Sequence, residues 1–188
     1  MKKITLLLIF SLLLIATSQA QRTKFFTQVG TSDVGFDQWY QTDGDFTLGM
    51  LFPLSKSVSF GPVITFMPNV NYYVFDYKNG ADVTTGSRIG AVLRYNVVKM
   101  PKFEMYLQNM ASYLKVSYSG LSGVNFPESG SASSLLASFG TGFVYKVSPG
   151  FHINIFEFNL SYSNLTITDR KIHKDYRTGL IFQLFRSK

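Results

Sequence analysis

The chain has 188 residues, 16% of them aromatic and 15% charged, with a formal charge of +7 and no cysteine. The charged fraction is low for a soluble domain, where about 25% is usual. The lack of cysteine excludes disulfides, thiolate metal sites and a lipid-anchored cysteine. No uninterrupted apolar run long enough for a spanning helix follows residue 20, so a mature chain in a membrane must cross it as a closed β-barrel.

Residues 1–20 have the pattern of a secretory signal peptide. Two lysines precede an apolar core, and small residues follow at Ser18 and Ala20. The core is short for a membrane-anchoring helix, which needs about 20 residues. We predict cleavage after Ala20 and one mature domain at 21–188, whose formal charge is +7 − 2 = +5.

The clearest structural pattern is in residues 86–114, where apolar and polar side chains alternate along two runs. A period of two places successive side chains on opposite faces of a strand. The turn between the runs is at 99–102 and contains Pro101. The segment therefore predicts a β-hairpin whose strands each have an apolar and a polar face. In the first run the apolar face carries Ile89, Ala91, Leu93, Tyr95 and Val97.

Similar runs predict eight strands in all. Three precede the hairpin, at 24–31, 45–52 and 58–67, and three follow it, beginning near residues 135, 151 and 176. In the seventh strand the parity changes, and a bulge near Ile155 or Phe156 would account for it. Short turns near residues 53, 101 and 149 alternate with longer loops at 33–44, 68–85, 116–131 and 164–175. Outer-membrane barrels show this alternation, with short periplasmic turns and longer external loops.

The signal peptide, the alternation, the loop asymmetry and an aromatic-ended final strand together resemble the small eight-stranded outer-membrane β-barrel family, of the OmpA, OmpX and porin-like type. The resemblance covers nearly all of the mature chain. It implies an all-β, antiparallel, up-and-down transmembrane barrel in the cell outer membrane of a Gram-negative bacterium. It also implies the barrel-insertion machinery as a partner, although three residues follow the aromatic Phe185 here. We predict that Leu180 and Phe182 face lipid and that Arg177 and Gln183 face inward.

Alternation alone also permits a soluble, lipocalin-like periplasmic carrier with its two faces inverted. The polar face of such a barrel would carry many Lys and Glu side chains, whereas here it carries small residues such as Ser138, Gly140 and Gly142. Small side chains suit the narrow lumen of an eight-stranded membrane barrel. The Gly-x-Trp sequence of lipocalins is also missing around Trp39. We favour the membrane barrel, with the carrier as a less favoured alternative.

Charged residues on the polar faces of the predicted strands should meet in the lumen. They are Arg88, Arg94, Glu104, Glu157 and Arg177. Charges at membrane depth are costly unless they are paired or hydrated. Counting back from the 99–102 turn sets Arg94 diagonal to Glu104, within reach of a long side chain. This network favours a structural plug over a narrow passive pore for ions or small solutes, because an eight-stranded interior has little room beyond its side chains.

The predicted external loops carry an aromatic group and a basic group. The aromatic residues are Trp39, Tyr40, Tyr72, Tyr73, Phe75 and Tyr77. They predict a girdle at the membrane interface, or a surface that binds an extracellular or envelope protein. The basic residues are Arg170, Lys171, His173 and Lys174. We expect them to contact phosphates of outer-membrane lipid and lipopolysaccharide.

We predict no catalytic site, no cofactor and no metal site. Of the two histidines, His152 lies beside a turn and His173 has no serine at a neighbouring position. Nucleophilic catalysis needs the nucleophile and its base within hydrogen-bond reach. No glycine-rich phosphate loop and no metal-ligand spacing occurs in the sequence. An exported basic chain meets anionic headgroups first, so we expect no nucleic-acid partner. The predicted role is membrane-structural or interactional, through the external loops.

Overall fold

The computed structural model describes residues 23–33, 44–70, 84–119, 129–163 and 172–183, and these form eight β-strands. Each strand is antiparallel to the next, and the eighth pairs with the first to close a barrel. This confirms the predicted eight-stranded, antiparallel, up-and-down barrel. The strands are β1 Lys24–Asp33, β2 Asp45–Pro53, β3 Val58–Val70, β4 Thr84–Lys99, β5 Phe103–Ser119, β6 Ser129–Ser148, β7 Phe151–Ser163 and β8 Ile172–Gln183.

The barrel is apolar outside and mainly polar inside. Every strand exposes large apolar side chains, as Phe139 and Leu160 do on two adjacent strands. Among the described buried residues, polar and charged side chains outnumber apolar ones, although a smaller apolar cluster that includes Phe26 and Val92 also lies inside. This is the orientation of a transmembrane barrel. A lipocalin-like carrier needs the reverse, with apolar side chains inside.

The predicted face assignments of the last strand agree with the structure. Leu180 and Phe182 are exposed on the outer face, and Arg177 is buried inside. The predicted signal peptide at 1–20 lies outside the described residues. Within the described ranges, no helix is long and apolar enough to cross a membrane.

Most strands are longer at the loop end than the sequence indicated, and β5, β6 and β8 show this most clearly. Because β5 ends with Ser119 paired to Ser129 of β6, the connection predicted at 116–131 is shorter. Likewise β8 begins at Ile172, inside the loop predicted at 164–175. Glycine and serine have weak strand preference alone. Here the neighbouring strand supplies their backbone hydrogen bonds, so pairing overrides the local preference.

The parity change in β7 is a bulge, as predicted. Ile155 and Phe156 both point outward, with exposed fractions of 50% and 41%. The pairing of β7 with β8 shifts register between Asn154 and Glu157. One extra residue on a strand turns the following side chains to the other face. The bulge therefore places Glu157 inside the barrel.

The predicted contact between Arg94 and Glu104 is wrong. The β4–β5 turn is tighter than assumed, with the Met100 backbone N–H donating to the Phe103 carbonyl at 2.8 Å. The register also shifts between Asn96 and Val98. These two features place Arg94 opposite Gln108, and Glu104 opposite Lys99.

Candidate functional site

The charged side chains of the lumen that the structure describes form three clusters. We call them the middle cluster around Glu157, the loop-end cluster around Arg177 and the turn-end cluster around Glu104. Their positions follow from strand alternation, because each charged residue lies on the inward parity of its strand.

Glu157 is the centre of the middle cluster and is 2% exposed. One carboxylate oxygen, Oε2, accepts hydrogen bonds from Tyr106 Oη at 2.5 Å, Gln28 Nε2 at 2.7 Å and Arg94 Nη2 at 3.2 Å. The other oxygen, Oε1, accepts from Asn159 Nδ2 at 2.9 Å. A carboxylate offers about four lone-pair sites. Its hydrogen-bonding capacity is therefore used within the barrel wall.

Arg94 extends across the lumen from β4 to reach Glu157. Its Nε and Nη2 both donate to Gln108 Oε1, at 3.3 and 2.9 Å. The guanidinium lies 3.8 Å from the centroid of the Tyr106 ring and 5.4 Å from that of Phe26. An arginine over an aromatic face gains cation–π stabilisation when it is desolvated. The side chain is thus held by polar and aromatic contacts together.

Two glycines provide the room that these large side chains need. A Cβ at Gly142 would lie 2.3 Å from the hydroxyl oxygen of Tyr106. A Cβ at Gly49 would lie 2.1 Å from the Phe26 ring. Real Cβ atoms do not approach other atoms so closely, so any other residue would move the ring. The small residues of the polar face therefore shape the middle cluster.

The loop-end cluster joins two arginines to two aspartates, all buried. Arg177 donates to both oxygens of Asp45, from Nε at 3.2 Å and from Nη2 at 2.9 Å. Its Nη2 also lies 3.6 Å from Asp175 Oδ2, which accepts from Arg88 Nη1 at 2.8 Å. Paired Arg–carboxylate hydrogen bonds are strong and directional. This cluster links β2, β4 and β8 across the lumen.

The turn-end cluster is more open to water. Glu104 Oε1 lies 3.0 Å from Lys146 Nζ, and its Oε2 lies 3.5 Å from Lys24 Nζ. The two lysine side chains are 23% and 21% exposed. Because water reaches both lysines, their ion pairs with Glu104 should be weaker than the buried pairs of the other two clusters.

The three clusters make the lumen a set of structural cross-links between strands. A hydrated ion entering the middle cluster would have to displace hydrogen bonds of Glu157 and Arg94. Among the described residues, no group of three His, Cys, Asp or Glu side chains is arranged to hold a metal ion.

No protein-family model matches the sequence, and no curated protein matches it significantly. Solved structures do match. Neisserial surface protein A is similar with a TM-score of 0.60 at 12% identity, over 86% of this chain and 97% of that one. The N-terminal β-barrel domain of Pseudomonas aeruginosa OprF is similar with a TM-score of 0.57 at 14% identity, over 87% of this chain and 98% of that one. The chain has the fold of the small eight-stranded outer-membrane barrels. At these identities the likeness concerns the fold, which together with the apolar outer face fits the predicted location in the cell outer membrane.

The predicted lumen charges all lie inside this barrel, but they belong to different clusters. Arg94 and Glu157 meet in the middle cluster, Arg88 and Arg177 lie in the loop-end cluster, and Glu104 pairs at the turn end with two lysines that were not predicted. Asp45 and Asp175, the carboxylates of the loop-end cluster, were not among the predicted lumen charges. Strand alternation could have identified both as inward-facing. Asp45 shares the inward parity of Thr47, and Asp175 shares that of Arg177.

The predicted external surfaces fall mostly outside the described residues. This is true of the whole aromatic group, Trp39, Tyr40, Tyr72, Tyr73, Phe75 and Tyr77, and of Arg170 and Lys171. His173 and Lys174 lie on β8 and not in a loop, which corrects that part of the predicted basic loop. The physical reason is pairing, because β8 is held there between β1 and β7. The Lys174 side chain is exposed.

Proposed function

We propose that the protein is a non-catalytic outer-membrane barrel whose loop end is an interaction surface or a membrane-stabilising cap. The observation that carries this proposal is the length of three strands. β4, β5 and β6 have 16, 17 and 20 residues, whereas a strand needs about 9–11 to cross a bilayer. Their extra residues lie at the loop end, beyond the exposed Tyr113.

The outward side chains of these extra residues are polar. We call them the polar extension, and they are Thr85, Ser87, Lys115, Ser117, Ser131 and Ser133, all exposed. They stand in two rows across the three strands, because Ser87, Lys115 and Ser133 pair in register, as do their neighbours two residues further on. Hydroxyls and an ammonium suit water or headgroups, not hydrocarbon.

On β5 the inner face of the same segment is apolar. Leu114 and Val116 point inward between the outward residues of β5 and are fully buried. On this strand the alternation is thus inverted relative to the membrane band, with polar side chains outside and apolar side chains inside. This is the pattern of a sheet in water. It supports a paired wall that projects from the membrane and presents a polar surface.

Such a surface supports two kinds of contact. Lys115, with Lys174 at the same end of β8, suits phosphates of outer-leaflet lipid, including lipopolysaccharide. The rows of hydroxyls suit a protein surface, which they can meet through hydrogen bonds without a large desolvation cost. The predicted aromatic loops would extend this surface if they bind an extracellular or envelope protein.

A photo-reactive amino acid at Ser133 tests the interaction role in intact cells. We expect cross-links to an envelope or extracellular component from Ser133, and only to lipid from Leu48, an exposed residue of the outer face on β2. Both variants must keep the heat-dependent gel shift of a folded barrel in SDS. Identical product patterns from the two positions would contradict an interaction surface and leave the membrane-stabilising role.

Deletion of residues 71–79 tests the aromatic part of the surface separately. The deletion should abolish capture of a protein partner and leave the heat-dependent gel shift intact, because it removes no residue of the described barrel wall. If the deletion variant still captured a protein partner normally, the aromatic surface would be excluded as the binding site.

A narrow passive pore is the competing function, and the lumen is the place to test it. Planar-bilayer recordings should show no current for the wild type, because the middle cluster blocks the path. Arg94→Ala removes the side chain that crosses the lumen, so any ion path through the barrel should be easiest to detect in this variant. Steady wild-type conductance would support the pore, and silence from both proteins would exclude it.

A further inference from the structure

Asn109 lies on the outer face of β5, in the middle of the apolar band. Within this band the outward side chains of β5 run from Phe103 at the turn end to Tyr113 at the loop end, both exposed. The residues paired with Asn109 on the adjacent strands are Leu93 and Phe139, which are also exposed and apolar. Among the described residues it is the one carboxamide that faces outward.

The described barrel wall gives this carboxamide no hydrogen bond. The outward hydroxyls of Thr141 and Thr178 behave differently, because they donate to the backbone carbonyls of Tyr106 and Asn154 at 2.9 and 2.8 Å. An unsatisfied carboxamide in hydrocarbon is unfavourable. Lipid headgroups lie at the edges of the band and offer no polar atom at mid-depth. Another protein chain in the membrane can supply the hydrogen bonds that the barrel wall does not.

The surface around Asn109 is shaped for close contact. Ala91, Ala111 and Ala137 stand in one row across three strands, so the wall is shallow there. A depression of about 420 Å³ is lined mainly by residues of β4, β5 and β6, among them Ala111 and Ala137. A second, of about 390 Å³, begins at Asn109 and Ala137 and extends over β7 to the start of β8. Beside them Leu135 projects, with an exposed fraction of 76%. The same face thus carries both a protrusion and a hollow.

We propose that the outer face of β4–β6 binds a second copy of this chain within the membrane, with the two Asn109 side chains paired across a two-fold axis. A carboxamide has a donor and an acceptor, so two of them can exchange two hydrogen bonds. In a two-fold interface each copy presents the same patch, and Leu135 of each copy enters the hollow beside Ala137 of the other. Small residues and polar side chains are the features that join segments in lipid. The dimer is independent of the loop-end role, since it uses only the membrane band.

Cysteine cross-linking tests this pairing directly, because the chain has no cysteine of its own. Ala111→Cys places a thiol beside Asn109 and keeps the carboxamide. Leu48→Cys is the matched control, exposed on the outer face of β2 on another part of the barrel. Each full-length mature protein is reconstituted in lipid vesicles and treated with a short thiol-reactive cross-linker. We expect a covalent dimer from Ala111→Cys in large excess over Leu48→Cys, and equal yields would overturn the proposal.

Two substitutions in the Ala111→Cys background separate the carboxamide from the surface shape. Asn109→Leu should lower the dimer yield about tenfold, because it removes the hydrogen bonds between the two carboxamides in the lipid environment. Ala137→Phe fills the hollow and should lower it as well, whereas Leu48→Phe should leave it unchanged. All variants must keep the heat-dependent gel shift. Undiminished dimer from Asn109→Leu would overturn the role of Asn109, and a cross-link to a different protein in native membranes would overturn the second copy as the occupant.

Discussion

The middle and turn-end clusters use the same chemistry in different surroundings. In both, a glutamate on one strand pairs with cations from others. Glu157 is 2% exposed and is also held by Tyr106 and Gln28, whereas Glu104 meets two partly exposed lysines. Breaking a buried pair leaves a charge that water cannot reach. A partly exposed charge is rehydrated when its partner is lost. Burial, more than the pairing itself, should decide which cluster matters for stability.

Glu157→Leu should have the largest effect, because it leaves the Arg94 guanidinium buried without its carboxylate. We expect a loss of about 3–5 kcal/mol in the free energy of unfolding. Urea unfolding in lipid vesicles measures it. The double variant Arg94→Met/Glu157→Leu is the control and should recover much of the loss, since it removes both charges. A single-variant loss no larger than that of Glu104→Gln would refute the comparison.

Gly142→Ala should come next, because the added methyl group meets the Tyr106 ring. Overpacking of this kind costs about 1–3 kcal/mol, and a rigid ring at 2.3 Å favours the upper end. The same unfolding assay applies. Adding Tyr106→Leu should relieve the clash, so Gly142→Ala should cost less in that background than in the wild type. An unchanged cost would show that Tyr106 is not the obstacle.

Asp45→Asn should weaken the loop-end cluster, because it removes the negative charge that faces Arg177 but keeps a side chain of the same size. The amide oxygen of the new side chain still accepts a hydrogen bond from Arg177. Asp175 Oδ2 also remains 3.6 Å from Arg177 Nη2. We expect a loss of about 2 kcal/mol, the usual value of a hydrogen bond to a charged group. Thr31→Ala, an exposed position on β1, is the control and should change little. If Asp45→Asn lost as little free energy of unfolding as Thr31→Ala, Arg177 would be held by its other contacts.

Glu104→Gln should have the smallest effect, about 1 kcal/mol or less. Because its lysine partners are partly hydrated, the effect should shrink further as salt is raised from low to high concentration. The effect of Glu157→Leu should not shrink in this way. Equal salt dependence in the two variants would remove the distinction between the clusters.

Much of the fold was predictable because alternation is a local property. The outward run at Ile89, Leu93 and Tyr95, the β7 bulge and the turns all depend on neighbouring residues. The strand ends were less predictable, as the extension of β6 to Ser129 shows. There the neighbouring strand, not the glycine- and serine-rich sequence, decided the conformation.

The partners in the lumen could not be predicted. Arg94 and Glu157 are 63 residues apart, and Arg177 and Asp45 are 132 apart. Their meeting depends on the register of every strand between them, and one bulge changes it. The Arg94–Glu104 prediction failed for that reason.

The sequence by itself determined the number of strands and which side chains share a face, because a period of two needs only neighbouring residues. It also determined that the lumen would hold charges. Only the tertiary structure decided which charges pair, and that the outward carboxamide of Asn109 has no hydrogen-bond partner within the described barrel wall. Closure of the barrel brings distant strands together across a narrow interior, and that geometry is the sum of all turns, bulges and registers along the chain.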